Sequence, residues 1–236
     1  MQLSKIENLA YSKLKESNLS LFKSKDLCLL LGINKTKSYN IIKALKKKGT
    51  VKRINSYLIF SDANEMAVAS EINSPSYISF WSALNYYGFS DQMPKKIFLT
   101  TTKYKKEVQG FKYITMSKKR FFGYMKIKDI TIAEKEKAVI DSLLLPRYSG
   151  GMKEVMKSIK NNLENLDIKK LIDYAVKMKS KSVLRRLGYI LEKNKKNTKG
   201  IINKIGGGYE LFDPNLKKKN NLNKKWLLDI NVEWYH

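Results

Sequence analysis

The first sixty residues carry hydrophobic positions three and four apart, in short runs that polar residues and glycines interrupt. The first run predicts an amphipathic helix over about residues 2–16, with apolar positions Leu3, Ile6, Leu9, Ala10 and Leu14. A second, short helix is expected to begin with Ser24 as its N-cap and to end at Gly32, which suits a left-handed position. Its expected apolar face consists of Leu27, Cys28, Leu30 and Leu31. Cys28 is the only cysteine, and we expect it to be a buried thiol.

A third helix is predicted between Asn34, a favourable N-cap, and Gly49, which would close it. Its packing stripe has residues three and four apart, namely Ser38, Ile41, Ile42 and Leu45. Ser38 is small, as a close approach of the second and third helices requires. The next segment, VKRINSYLIF, has β-forming residues on both sides of Asn55 and Ser56 and predicts a hairpin. Three helices followed by a hairpin are typical of a winged helix-turn-helix, which we expect over residues 1–62.

The face of the third helix opposite this stripe has no acidic residue. Its polar and basic side chains are of the types that hydrogen-bond to base edges in a major groove. They are Lys35, Thr36, Lys37, Tyr39, Asn40 and Lys43. Phosphate contacts are expected further along the helix from Lys46, Lys47 and Lys48. The hairpin would extend the surface with Lys52, Arg53, Asn55 and Ser56. We therefore predict that this segment binds duplex DNA. The alternatives are a lysine-rich helix that is only solvated and a domain that binds protein.

The net charge of +26 supports a polyanionic partner less than its size suggests. Of the 47 basic residues 42 are lysines, which fits a coding bias that fills the surface with lysine. The distribution is more informative, because residues 1–62 carry 13 basic against four acidic residues and the remainder 34 against 17. The N-terminal segment is thus denser in positive charge by about half, which favours it as the nucleic-acid-binding part.

Residues 63–236 predict a second domain, with the boundary inside the polar connection 61–76. An aromatic-rich helix, YISFWSALNYY, is expected to end at Gly88. Strands are predicted at 97–102, at 111–116 and within FFGYMKIKDITI, helices at about 133–145, 152–163, 168–179 and 182–194, and closing strands at YELF and WLLDINV. The fold class is therefore expected to be α+β, a winged helix-turn-helix followed by a mixed α/β domain.

Few residues could carry catalysis. His236 is the only histidine, which excludes a histidine base, triad or zinc site. The GGGYELFD stretch lacks the lysine and hydroxyl residue of a phosphate-binding loop. Glu134, Glu136 and Asp141 alternate with lysines, and Lys137 precedes Asp141 by four residues, so a surface ion pair or an interface anchor is expected. We expect no enzymatic activity, no metal and no cofactor.

A second basic surface is a further candidate, with Lys103, Lys105, Arg120, Arg185 and Arg186. Solvated lysine is the alternative, although two adjacent arginines stand out in a chain with only five. The aromatic residues Tyr77, Phe80, Trp81, Tyr86 and Tyr87 are expected in a core, since their spacing is helical, and not as stacking platforms for bases. No apolar run reaches the 18 residues of a membrane span, and the first residues do not have the pattern of a secretory signal. We expect a cytoplasmic protein.

Four stretches in the second part resemble the AbiEi antitoxin family. They are SPSYISFWSALNYYGFSDQMPKKIFLTTT, FFGY at 121–124, ITIAEKEKAVIDSLLLPRYSGG and KKWLLDINV. Their order matches the family's serine-rich aromatic helix, threonine-ended strand and A-x-x-E-K-A-x-x-D helix. Two positions depart from the pattern, because Tyr87 stands where histidine is common and Lys135 where proline often precedes the glutamate.

The resemblance implies an antitoxin and autorepressor of a type IV, AbiE-like toxin–antitoxin operon. The N-terminal domain would bind operator inverted repeats in double-stranded DNA, and the second domain would counteract a nucleotidyltransferase toxin, with direct contact left open. One alternative is a stand-alone regulator whose second domain senses a ligand or oligomerises. Another is an RNA- or ribosome-associated binding module.

Overall fold

The computed structural model describes residues 2–104, 108 and 110–233. Its first sixty residues form three helices and a hairpin: α1 (Lys5–Glu16), α2 (Ser24–Leu31), α3 (Lys35–Lys47), β1 (Val51–Ile54) and β2 (Tyr57–Phe60). This is the predicted order of elements. Their shared core consists of Ala10, Leu14, Phe22, Leu27, Ile41, Ile42, Leu45, Val51, Leu58 and Phe60. Side chains from all five elements, and Phe22 between α1 and α2, thus fix the helices against the hairpin.

The ends of these helices are set by local hydrogen bonds. Ser4 caps α1 in a reciprocal arrangement with Glu7, so the helix begins three residues later than predicted. The N-cap of α2 is Lys23 and not Ser24, because the Asp26 carboxylate accepts the Lys23 backbone N–H at 2.6 Å and the Ser24 hydroxyl points to α3. Gly32 ends α2 at φ 63°, the predicted left-handed conformation.

The predicted apolar faces of α1 and α2 are only partly buried. Ile6 and Leu9 are 39% and 48% exposed, whereas Ala10 and Leu14 are fully buried. On α2 only Leu27 is buried, and Cys28 is half-buried, so the expectation of a buried thiol was wrong. The reason is the length of α2: a helix of eight residues presents one or two side chains to the core, and the others remain at its edge.

The second part is built on a five-stranded mixed sheet. Its strands are β3 (Ser76–Ile78), β4 (Ile97–Thr101), β5 (Phe111–Thr115), β6 (Tyr124–Ile127) and β7 (Ile130–Ala133), in the order β5-β4-β3-β7-β6. The β3–β4 and β6–β7 pairs are antiparallel, and β3–β7 and β4–β5 are parallel. Three strands of two residues each, β8 (Glu210–Leu211), β9 (Leu222–Asn223) and β10 (Leu228–Asp229), form a small three-stranded sheet where two closing strands were predicted.

Six helices accompany the sheet: α4 (Glu65–Ile72), α5 (Phe80–Tyr86), α6 (Lys135–Leu144), α7 (Gly151–Asn161), α8 (Ile168–Lys177) and α9 (Lys181–Lys193). Helix α6 is central, since it packs against α5, α7, α8 and α9. Apolar side chains from all of these elements form one large core. The chain is α+β, as predicted. No helix among the described residues is long and apolar enough to cross a membrane.

Strand β2 belongs to both cores. Leu58 and Phe60 point into the core of the first sixty residues, whereas Ile59 between them is fully buried in the core of the second part. Alternating side chains of a strand face opposite sides, so a strand with cores on both sides has no polar face. This accounts for the poor alternation of the YLIF sequence. Two exposed ion pairs lie near the junction, Lys15 with Asp62 at 2.9 Å and Lys52 with Glu65 at 3.1 Å.

Candidate nucleic-acid interface

Helices α2 and α3 are held together by a pair of serines. The hydroxyls of Ser24 and Ser38 are 2.8 Å apart, and the Ser38 hydroxyl also donates to the Ser24 carbonyl at 2.9 Å. Ser38 is fully buried, so its small size allows the close approach that was predicted. The side chain of Asn34 accepts the Lys37 N–H at 2.9 Å and caps α3, again as predicted.

The two faces of α3 are separated as the spacing predicted. The packing stripe Ser38, Ile41, Ile42 and Leu45 is buried. The opposite face is exposed along its whole length, through Lys35, Thr36, Lys37, Tyr39, Asn40, Lys43, Lys46 and Lys47. Tyr39 is 62% exposed, which is high for an aromatic side chain in the middle of a helix. A helix of 13 residues is about 20 Å long, enough to lie across a major groove about 12 Å wide.

The hairpin stands beside α3. Asn55 takes φ 54° at its tip, next to the exposed Ser56, and this left-handed conformation is one that asparagine tolerates. Lys52 and Arg53 are exposed on β1. On the other side of β2, Phe22 forms a bridge in which the backbone N–H groups of Phe22 and Leu58 each donate to the other's carbonyl, at 3.0 and 2.8 Å. The segment before α2 thereby stiffens the hairpin.

A cleft of about 440 Å³ lies between α3, the start of α2 and the hairpin. Ile42 and Leu58 line it together with polar side chains, which are Lys23, Ser24, Tyr39, Lys43, Lys46, Arg53 and Ser56. Its lining includes four cations and no carboxylate. Lys23 and Ser24 were absent from the predicted interface, although a lysine directly before the second helix was a visible signal. The Lys23 ammonium lies 4.8 Å from the centre of the Tyr57 ring, which orients it beside the hairpin.

Two of the lysines near this surface are already neutralised. Lys48 pairs with Glu7 and donates to the Gln2 carbonyl at 2.9 Å, so its ammonium is directed to α1 and away from the exposed face of α3. The hydrogen bond from Lys48 is the main reason that the pKa of Glu7 is lowered. Lys52 pairs with Glu65. Within the described part of the chain no carboxylate pairs with Lys35, Lys37, Lys43, Lys46, Lys47 or Arg53. The exposed face of α3 and the cleft therefore form one uncompensated positive surface.

The two adjacent arginines predicted for a second basic surface are buried. Arg185 and Arg186 are 1% and 4% exposed, and they donate to backbone carbonyls of Ile205, Gly207, Leu143 and Leu211. They therefore hold α9 to α6 and to the closing strands, and placing them on a surface was wrong. A guanidinium has five donors, and two arginines can thus satisfy several carbonyls that the helices and strands leave free. Burial lowers the pKa of Arg186.

The other members of that set are scattered. Arg120 is half-buried and donates to the Met178 carbonyl at 3.1 Å. Lys103 is exposed and donates to the Ser74 carbonyl at 2.9 Å, at the end of β4. Lys105 lies outside the described residues. Arg120 and Lys103 therefore contact different parts of the fold.

The ion pair predicted between Lys137 and Asp141 exists, but it is not on the surface. Both side chains are fully buried, and Asp141 also accepts hydrogen bonds from Tyr77 at 3.1 Å and Ser79 at 2.7 Å. Burial lowers the pKa of Lys137 and raises that of Tyr77 well above its usual value. This cluster links α6 to β3. No group of three or more potential metal ligands occurs among the described residues.

No protein-family model matches the chain, and no curated protein has a significantly similar sequence.

Proposed function

We propose that residues 1–62 form a winged helix-turn-helix that binds duplex DNA, and that the protein is a transcriptional regulator. The observation that carries this proposal is the exposed face of α3, which has cationic and amide side chains without carboxylate partners and continues into the basic cleft. In this proposal the first turns of α3 contact base edges in the major groove. Lys23, Lys46 and Arg53 in the cleft bind the phosphates of one strand, and the hairpin tip reaches the neighbouring backbone.

We further propose that this regulator is the antitoxin and autorepressor of a type IV, AbiE-like toxin–antitoxin operon. The four motifs of the second part support this step. The N-terminal domain would bind inverted repeats upstream of its own operon in the cytoplasm, and the second part would counteract a nucleotidyltransferase toxin, with or without direct contact.

The alternative is a stand-alone regulator whose second part senses a ligand or oligomerises. The burial of Ile59 in the second core favours it, because a rearrangement there would move the hairpin that borders the DNA-binding cleft. An orphan gene without a toxin neighbour would support this alternative.

DNA binding is tested by fluorescence anisotropy with a duplex from the region upstream of the gene and a scrambled duplex of equal length. Lys37→Ala and Asn40→Ala should each lose about 1–3 kcal/mol of the preference for the upstream duplex. Lys13→Ala removes the same charge from an exposed position on α1 and is the matched control. Equal preference in all variants would refute the groove assignment, and comparable affinity for structured RNA would favour the RNA-binding alternative.

The antitoxin step is tested by locating a nucleotidyltransferase gene beside this gene and co-expressing the two. Growth should be restored by the wild-type chain and also by the Lys37→Ala/Asn40→Ala double variant, since neutralisation is assigned to the second part. If the wild-type chain fails to restore growth, the antitoxin step is wrong, whereas the DNA-binding proposal stands on its own measurement.

A further inference from the structure

A groove of about 650 Å³ lies between α8 and the segment that follows α9. Helix α8 turns Leu171 and Ala175 into the core. Three aliphatic residues spaced four apart, Ile168, Ile172 and Val176, lie at the edge of the core, half-buried, and line the groove. The floor is therefore an apolar stripe that runs the length of the helix, about 15 Å for its ten residues.

Lysines stand on both rims of this stripe. Lys169 and Lys177 belong to α8, where the Lys177 ammonium lies 4.3 Å from the centre of the Phe122 ring, and Lys199 and Lys204 belong to the opposite wall. In the described residues none of the four forms an ion pair with a carboxylate. Their neighbours differ, since Lys170 on α8 pairs with Glu134 and Glu136, and Lys196 pairs with Glu164. Lys170 and Lys196, which pair with carboxylates, do not line the groove, whereas Lys169, Lys177, Lys199 and Lys204 do.

Asp173 is the one acidic residue in the lining, against the four lysines. An occupant that matches this groove must offer apolar side chains to the floor and negative charge to both rims. Nucleic acid meets only the second requirement, because the lining contains no aromatic ring on which a base could stack. An amphipathic helix with acidic flanks meets both, and its apolar residues would follow the same spacing of three and four as the stripe.

We infer that this groove binds an acidic amphipathic helix of a partner protein. Its walls come from α8 and residues 197–204, whereas the proposed DNA-binding surface comes from α2, α3 and the hairpin. The inference therefore does not depend on the proposed function. A helix of about three turns matches the length of the stripe.

The probe is a fluorescein-labelled peptide of about 14 residues, with leucines three and four apart and glutamate at the other positions. Its binding to the full-length protein is measured by anisotropy beside a peptide of the same composition in scrambled order, which controls for the strong positive charge of the chain. The ordered peptide should bind at least about tenfold more tightly than the scrambled one.

Two groove variants and one matched control locate the binding. The Lys169→Glu/Lys199→Glu double variant and Ile172→Ser should each weaken binding of the ordered peptide about tenfold or more. Lys224→Glu makes the same kind of charge change at an exposed lysine outside the groove and should have little effect. Thermal unfolding verifies that Ile172→Ser folds; if it does not, the lysine double variant, which changes only exposed residues, decides.

Three outcomes would overturn the inference. These are equal binding of the ordered and scrambled peptides, no binding of the ordered peptide, and no loss in the lysine double variant. A single-stranded oligonucleotide of equal charge is measured beside the peptide. If it binds as tightly as the ordered peptide and loses its binding in the same double variant, the groove is assigned to nucleic acid instead. Duplex DNA binding measured on the same variants should stay at the wild-type level, because none of the changed residues lies on the α3 surface.

Discussion

The hydroxyl of Ser38 on α3 lies 2.8 Å from the hydroxyl of Ser24 on α2 and donates a second hydrogen bond to the Ser24 carbonyl at 2.9 Å. Two short side chains thereby set the distance between the helix that would contact bases and the helix that supports it. The angle of α3 to the hairpin depends on this contact, since α2 packs on the same core as β1 and β2.

Enlarging Ser38 should separate the two helices. Ser38→Leu places three additional carbon atoms where the side chain is fully buried, and we expect a loss of about 1–3 kcal/mol in the free energy of unfolding, together with weaker DNA binding. Ser38→Ala removes only the hydrogen bonds and should cost about 1 kcal/mol with DNA binding retained. Urea unfolding and anisotropy measure the two effects. Equal stability of the leucine variant and the wild type would show that the helices are not in close contact.

The salt dependence of DNA binding should distinguish neighbouring lysines. Lys46→Ala and Lys47→Ala should each reduce the slope of log K against log salt concentration by about 1, as expected for the loss of one phosphate contact. Lys48→Ala is the matched control, because Glu7 already neutralises that ammonium and the slope should not change. A slope that falls equally in all three variants would contradict the assignment of Lys48 to α1.

The local parts of the interface could be predicted from the sequence. The stripe of α3, its cap at Asn34 and the end of α2 at Gly32 depend on spacing and on single residues within one turn. Charge partners depend on contacts distant in sequence. Lys48 meets Glu7 across 41 residues, and Lys52 meets Glu65 across 13, so their neutralisation is invisible to a count of charges along the helix.

The second part was harder to predict for the same reason. Arg185 and Arg186 look like surface cations in sequence, but backbone carbonyls of other elements bind them in the interior. The spacing of Lys137 and Asp141 predicted their ion pair correctly, but a position on the surface was expected. The pair is buried because helices cover α6 on several sides. A helix with a buried charged pair has the same local pattern as one with an exposed pair.

The pair formed by Glu7 and Lys48 should make the first sixty residues sensitive to acid. The pKa of Glu7 is lowered in the folded state, chiefly by the Lys48 hydrogen bond, so its contribution to stability is present above its ordinary pKa of 4.5. That contribution is lost as the pH falls through the lower, folded-state pKa. We expect Glu7→Gln to reduce stability at neutral pH and to flatten its decline in acid, as measured by urea unfolding across the acidic range.

The control for this experiment is Glu16→Gln. Glu16 pairs with Lys13 at 3.0 Å in an exposed position on the same helix, where an ion pair contributes little. It should leave the neutral-pH stability nearly unchanged. If the two variants behave alike, the Glu7–Lys48 contact does not stabilise the fold.

The buried pair of Lys137 and Asp141 should be more costly to break than to replace. Lys137→Met leaves the Asp141 carboxylate buried with only the Tyr77 and Ser79 hydroxyls as donors, and we expect a loss of about 3–5 kcal/mol. The Lys137→Met/Asp141→Leu double variant removes both charges and should lose less than the sum of the two single variants. Denaturant unfolding of all four proteins gives the coupling energy. An additive result would show that the two charges do not interact.

Gly188 on α9 lies against the ring of Trp226, and a Cβ at this position would be 2.0 Å from the ring atom Cζ3. Alanine is the better helix former by about 1 kcal/mol, so propensity alone would make Gly188→Ala stabilising. The steric overlap reverses the sign, because the fully buried Trp226 has to move and its ring N–H would leave the Glu192 carboxylate, which accepts it at 2.6 Å. We expect a net loss of about 1–3 kcal/mol in the free energy of unfolding and a shift in tryptophan fluorescence.

Gly207→Ala is the matched control, since no atom lies within 4 Å of its Cβ position, and it should be neutral or slightly stabilising. A Gly188→Ala variant as stable as Gly207→Ala would mean that α9 and the Trp226 segment do not pack as closely as described.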